Sequence, residues 1–200
     1  MISTAQNKAK TLLNHVSRNV KSYKTISIDF LYELHNLSEN VTQKTKGTVT
    51  VEGEKYVLNF LGGTMIYDGQ KFYRIVPENE EVTISSENTD LGGSLTPSKM
   101  LTFYENGYTY KMDIIQNVRG RKIQYVKLNP IDTNSEIKYV LLGIDATTKH
   151  IYNVIEVGKN ETKTTLTVNS FKTNQTLSKT LFKFDQKKYE DLDYYIDPID

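Results

Sequence analysis

The stretch T-I-S-I-D-F-L-Y-E-L-H, from Thr25 to His35, decides the fold class. Ile26, Ile28, Phe30, Tyr32 and Leu34 fall on one parity; Thr25, Ser27, Asp29, Glu33 and His35 fall on the other, with Leu31 the apolar intruder. Side chains alternate across a strand, so the pattern describes a half-buried β-strand with one oily face. As a helix the same residues would scatter around the axis. The question for function is what the oily faces of this strand and its successors cover.

Ahead of it, Ser3-Thr4-Ala5-Gln6 reads as a capping box, and Ala5, Ala9, Leu12, Leu13, Val16, Val20 and Tyr23 form one apolar stripe on an amphipathic helix. Such a helix is expected to lie on the sheet. Behind it, a turn at Leu37–Asn40 leads to a strand ending in Gly47–Glu52. Gly53-Glu54 turns the chain into Lys55–Leu61, with Tyr56, Leu58 and Phe60 on one face. After Gly62-Gly63, Thr64–Tyr67 runs into Asp68-Gly69, a tight-hairpin signal, and Lys71–Val76 pairs with Glu81–Ser85. Ser86–Ser94 is polar and reads as a loop, and Leu95–Tyr104 as one short helix with Pro97 in its first turn. Further strands are expected over Tyr108–Val118, Arg121–Leu128, Glu136–Asp145, His150–Val157 and the threonine-rich Glu161–Thr173. Leu181–Phe184 and an acidic, tyrosine-rich tail from Tyr189, expected to be solvated, complete the chain. The whole reads as a single domain over residues 1–200, mainly β (α+β), built on one large curved antiparallel sheet.

Composition narrows the chemistry. The 200 residues carry 25 basic and 24 acidic side chains, a net charge of +1, which gives no electrostatic footprint for nucleic acid. The basic group Arg119–Lys122 reads as a solvated turn, with no aromatic stacking platform beside it. Cysteine is absent, so disulfides, thiol catalysis and thiolate metal sites are excluded together. No apolar run reaches the ~18 residues that span a bilayer, and M-I-S-T-A-Q-N-K does not read as a signal peptide. His15, His35 and His150 are isolated, without a paired-histidine motif, so no metal site is read there. Gly92-Gly93-Ser94 lacks the second glycine of a nucleophile elbow. Asp29 and Glu33 read as solvated strand charges rather than a glycosidase pair. Asp191, Asp193 and Asp197 lack the spacing and turn glycine of a calcium loop. No enzyme is legible, and no cofactor is expected.

An open sheet of about ten strands curls strongly. With only one substantial helix to set against it, two outcomes stay open: a packed core, or an apolar cavity lined by the strand faces.

The order of the pieces then carries a resemblance. A helix runs into Val20-Lys21-Ser22-Tyr23-Lys24-Thr25-Ile26-Ser27-Ile28-Asp29-Phe30. Gly47-Thr48-Val49-Thr50-Val51 and Met65-Ile66-Tyr67-Asp68-Gly69-Gln70-Lys71-Phe72-Tyr73 follow, and Ser178-Lys179-Thr180-Leu181-Phe182-Lys183-Phe184-Asp185 comes near the end. Together these resemble the periplasmic outer-membrane lipoprotein carrier family, LolA, over nearly the whole chain, and the Lys-, Asn- and Ile-rich composition suits a Bacteroidetes-type member.

The resemblance implies an incomplete, unclosed antiparallel β-barrel of about ten to eleven strands, with the N-terminal helix and a short mid-chain helix as a lid over an apolar cavity. It implies acyl-chain-facing positions at Ile28, Phe30, Tyr32, Val49, Val51, Tyr56, Leu58, Phe60, Tyr110, Met112, Ile123 and Tyr125, and lid positions at Leu12, Leu13, Val16, Val20, Met100, Leu101 and Phe103. The implied function is a periplasmic carrier, acting as a monomer in a mature form without its export signal. It would take acylated lipoproteins from an inner-membrane lipoprotein-releasing ABC transporter to an outer-membrane acceptor. The alternative within the resemblance is a related periplasmic domain that binds lipid or senses lipoproteins. One departure stands out. Proteobacterial members carry a basic-Arg-Pro turn after the glycine-led strand, whose arginine helps hold the lid shut; here the turn is Glu52-Gly53-Glu54-Lys55, which puts that lock in doubt.

Overall fold

The computed structural model describes residues 4–86 and 97–199. Ser3 of the expected capping box, the expected loop from residue 87 onward and Leu95 lie outside the described residues. The chain forms α1 (Thr4–Ser22), then β1 (Thr25–Asn36), β2 (Val41–Glu52), β3 (Lys55–Phe60), β4 (Gly63–Tyr67), β5 (Phe72–Val76) and β6 (Glu81–Ser85). α2 (Pro97–Met100) and a 3₁₀ turn at Phe103–Glu105 precede β7 (Tyr108–Val118), β8 (Arg121–Pro130), β9 (Ile137–Asp145), β10 (Ile151–Gly158) and β11 (Thr162–Thr173). α3 (Gln186–Glu190) and β12 (Tyr195–Ile199) end the chain.

The sheet is unclosed, with strand order β12-β6-β5-β4-β3-β2-β1-β11-β10-β9-β8-β7. It consists of two meanders and one added strand. Tight turns supply the connections: Asp68 Oδ1 accepts from the backbone N–H groups of Gln70 and Lys71, both at 2.8 Å, with Gly69 at φ +98°. Between β7 and β8, Arg119 and Gly120 both take positive φ, the geometry that two-residue hairpins require.

Three expectations are corrected. Leu95–Tyr104 is not one helix: within it α2 ends at Met100 and the 3₁₀ turn begins at Phe103. Among the described residues the sheet has twelve strands, because the tail supplies β12, and β12 runs parallel to β6 rather than antiparallel. The tail is also not simply solvated. Tyr73 stacks on Phe184 at 4.6 Å, Phe184 on Tyr189 at 5.4 Å, and Tyr189 meets Tyr194 edge-on at 5.2 Å. Aromatic burial decides the course of this segment, while Asp191 and Asp193 stay exposed.

The chain divides into two compact units, each made of three stretches: Met1–Ser22, Phe30–Thr45 and Thr102–Phe171, and Tyr23–Asp29, Lys46–Leu101 and Lys172–Asp200. In the first, α1 lays Ala9, Leu13 and Val16 on Val126, Leu128, Val140, Leu142, Ile144 and Ile151, with Leu12, Tyr110 and Met112 packed beside them. Each fully buried Leu, Ile or Val there contributes about 1.5–3 kcal/mol. In the second, Ile66, Tyr73, Ile75 and Val82 form a core with Val57, Ile84 and the tail residues Phe184, Tyr189, Tyr194 and Ile196.

On the face of β8–β10 opposite α1, Asn153 Nδ2 donates to the Tyr125 hydroxyl at 3.2 Å, while Asn153 Oδ1 is buried without a partner among the described residues. A β-carbon at Gly143 would collide with that oxygen and stand 3.0 Å from the Tyr125 ring and 3.1 Å from Ile123. Gly143→Ala is therefore expected to destabilise the protein by about 1–3 kcal/mol through overpacking. Asn153→Ala in the Gly143→Ala background should recover part of the loss, and a double-mutant cycle by urea unfolding reads the coupling.

Candidate functional site

Strand pairing sorts the residues expected to face acyl chains. In the second unit, Val49 pairs with Leu58 and Leu58 with Met65; Val51 pairs with Tyr56, Tyr56 with Tyr67 and Tyr67 with Phe72. Paired residues share a face, so these rows make one apolar surface across β2–β5. Val51, Tyr56 and Phe72 form its buried floor, with Val49, Leu58, Met65 and Tyr67 half-buried around them. Phe60, two residues beyond Leu58 on β3, continues the surface. Thr50 Oγ1 meets Ser27 Oγ at 3.2 Å on the opposite face, which puts Ile26 and Ile28 on the side of Val49 and Val51. Phe30 and Tyr32 hold the same parity as Ile28 along β1. Six of the expected positions, Ile28, Val49, Val51, Tyr56, Leu58 and Phe60, thus share one face in the second unit.

The surface is dry at its centre. Tyr56 is fully buried, its ring centroid 6.0 Å from that of Tyr67. Burial first, and the neighbouring Tyr67 second, push the Tyr56 hydroxyl up to about 12, so it stays neutral at physiological pH. The other side of the same strands, carrying Val57 and Ile66, belongs to the core that the C-terminal segment covers. β3 and β4 are therefore apolar on both faces.

In the first unit the expected set splits. Tyr110 and Met112 pair with Leu128 and Val126 on the face that α1 covers. Ile123 and Tyr125 have the opposite parity on β8 and sit with Gly143 and Asn153 on the other face. They do not join Tyr110 and Met112, because Val126 and Leu128 hold the α1 side.

Of the expected lid residues, Leu12, Leu13 and Val16 pack on β7–β10, and Val20 is half-buried near the end of the helix. Phe103 sits edge-on to Tyr104 at 5.6 Å and to Tyr108 at 5.9 Å. In the second unit Leu101 is half-buried and Met100 exposed. α2 lies against β3, and Ser98 Oγ donates to the Gly53 carbonyl at 3.3 Å. That bond falls on the Glu52–Lys55 turn, where no arginine is available.

Sequence reasoning missed the polar clasp on α1. Ser17 lies buried in mid-helix and donates to Glu105 Oε1, which Lys21 Nζ also meets at 2.6 Å. The hydrogen bonds from Lys21 and Ser17 hold the Glu105 carboxyl below its ordinary range, against the opposing effect of burial. The spacing of Ser17 and Lys21 by four places both on one side of the helix, the only signal the sequence offers. Elsewhere, burial works to raise the Asp145 pKa, but backbone N–H groups of Thr147 and Thr148 and the Arg121 guanidinium at 2.8 Å outweigh it and bring it to about 2. That cluster ties the β9–β10 turn. His35 bonds Thr42 at 2.8 Å, and His150 stacks on Phe171 at 4.3 Å, each accounted for by its own strand neighbours.

Comparison with curated protein sequences gives no match. Among solved structures, an uncharacterized conserved protein from Thermus thermophilus has a TM-score of 0.63 at 10% identity, covering 96% of this chain and 99% of that one. LprF from Mycobacterium bovis gives 0.52 at 12% identity, covering 86% and 96%. MucB gives 0.50 at 14% identity, covering 90% of this chain and 64% of that one. At these identities the likeness is one of fold. The model of the outer membrane lipoprotein carrier protein LolA matches residues 21–185, most of the length, and the chain belongs to that family.

Proposed function

We propose that the protein shields the acyl chains of lipoproteins on apolar strand faces and carries them across the periplasm between the inner and outer membranes. The observation that carries this reading is the second apolar face of β2–β5. The chain's own C-terminal segment accounts for one side of β3 and β4, and a further set of half-buried apolar side chains, Val49, Leu58, Met65 and Tyr67, remains on the other. Membership of the carrier family supports the same ligand class.

The chemistry suits a sequence-blind carrier. Each methylene taken from water contributes ~0.8 kcal/mol, so acyl chains need cover and little else. Methionine and aromatic side chains supply an adaptable lining for chains of varying length. In this reading α1 is a lid whose stripe stands in for the ligand on β7–β10, and the inner-membrane releasing transporter and an outer-membrane acceptor are the sites of loading and delivery. Native mass spectrometry of protein purified from a lipid-containing host is expected to show co-purified acylated peptide or lipid. A mass that stays ligand-free when lipoprotein is offered overturns the reading.

Two variants separate lining from latch. Leu58→Trp fills the β2–β5 face and should weaken binding of an acyl probe about tenfold or more, with the circular dichroism and melting profile retained; unchanged affinity in the folded variant would remove this strand from the site. Glu105→Gln tests the clasp. The folded pKa of Glu105 is depressed, so its contribution is present above the ordinary carboxylate value of 4.5 and is lost as the pH falls through the lower folded value. At pH 7 the variant should exchange α1 amide hydrogens faster than wild type, by the roughly 1 kcal/mol expected of a partly exposed pair. At strongly acid pH the two should converge.

A further inference from the structure

One of the apolar rows beneath α1 carries a charged residue, Glu156. Cross-strand pairing sets Tyr110, Leu128, Val140, Glu156 and Thr164 in one line across β7–β11. Leu128 and Val140 are fully buried, and Val154, next along β10 on the same side, packs into the α1 cluster. Glu156 itself is half-buried, and its carboxylate has no hydrogen bond or ion pair among the described residues. Its cross-strand neighbours, Val140 and Thr164, offer no positive charge. Burial raises its pKa, and the carboxylate acts in turn on Tyr108, whose hydroxyl is raised by burial and then by Glu156. A second polar group in the same cluster is also unsatisfied: Tyr104 is 1% exposed, and its hydroxyl has no hydrogen-bond partner among the described residues.

A half-buried carboxylate without a partner favours a cation that can reach it. The surroundings select the cation. One carboxylate among aliphatic side chains falls far short of the six to eight oxygens that calcium takes. An ammonium group needs only one counter-charge, and the rings of Tyr108 and Tyr110 on the same face give it π surfaces.

We propose that Glu156 is the polar anchor of the ligand face and takes the ammonium group at the head of an acyl-bearing ligand, whose chains lie along the neighbouring apolar rows. The inference rests on the carrier reading and adds head-group selectivity to it. Two ligands share this chemistry: a peptide whose N-terminal cysteine bears diacylglycerol and keeps a free α-amino group, and an ethanolamine phospholipid.

The test is displacement of a fluorescent acyl probe from the full chain by four ligands: the diacylated lipopeptide, its N-acetylated twin, phosphatidylethanolamine, and its N-acetylated twin. Wild type is expected to favour the free amine over its twin by about tenfold in at least one pair, and the pair that shows it identifies the source. In Glu156→Gln that ratio should fall to about one. A ratio near one in both pairs for wild type, or a preference that survives in Glu156→Gln, overturns the anchor and leaves the carrier reading standing. Failure of all four ligands to displace the probe overturns the carrier reading, and the anchor with it.

Discussion

A β-strand shows each face every second residue, so apolar side chains at both parities demand two separate coverings. That constraint governs this molecule. β3 and β4 direct Val57 and Ile66 to one side and Tyr56, Leu58, Met65 and Tyr67 to the other. The C-terminal segment meets the first demand with a run of three aromatic contacts from Tyr73 to Tyr194 and with β12, which adds itself to β6. Pro198 is tolerated in β12 because an end strand has one unpaired edge. On β8 the same constraint is met differently: Val126 and Leu128 go to α1, while Ile123 and Tyr125 surround the β-carbon-free backbone of Gly143.

The α1 contact is of another kind from the tail contact. Its buried stripe is short, Ala9, Leu13 and Val16 with Leu12 beside them, and its Ser17–Glu105–Lys21 clasp is polar and partly exposed. Four apolar side chains, two of them Ala9 and Val16, limit the apolar area that the helix itself removes from water. Lifting the helix would expose the fully buried Val126, Leu128, Val140, Leu142 and Ile144 beneath it, whereas the tail residues Phe184, Tyr189 and Tyr194 are half-buried.

Much of this is legible in the sequence. The alternation from Ile26 to Leu34, the stripe of α1 and the Asp68-Gly69 turn give β1, the helix and the hairpin within a residue or two. The face made by Val49, Val51, Tyr56 and Leu58 follows from alternation alone. What stays hidden depends on contacts distant in sequence. The tail reads as acidic until Tyr73 and Phe184 are known to be neighbours. β10 reads as a plain strand over His150–Val157. A bulge between Ile151 and Asn153 shifts the register, so Val154 and Glu156 join Ile151 on the α1 side. The side that Ile123 and Tyr125 take is hidden for a similar reason: both parities of β8 are apolar, and pattern cannot say which one the helix covers.

On the carrier reading, the modest stripe of α1 also bears on release. A sixteen-carbon acyl chain leaving water gains roughly a dozen kcal/mol, far too much for a shuttle that must give it up without an energy source of its own. If the chain enters by displacing α1, the ligand-free protein already holds part of that gain. Ala9, Leu12, Leu13 and Val16 together account for roughly half of it at ordinary burial values. Affinity is then set by the difference between two occupants of one apolar face, since a ligand shifts an equilibrium only by its preference for one state over the other. A helix with larger side chains would exclude the ligand, and a face without a helix would retain it. On the same reading, the stripe of Ala9, Leu12, Leu13 and Val16 lies between those limits, where exchange would run in both directions.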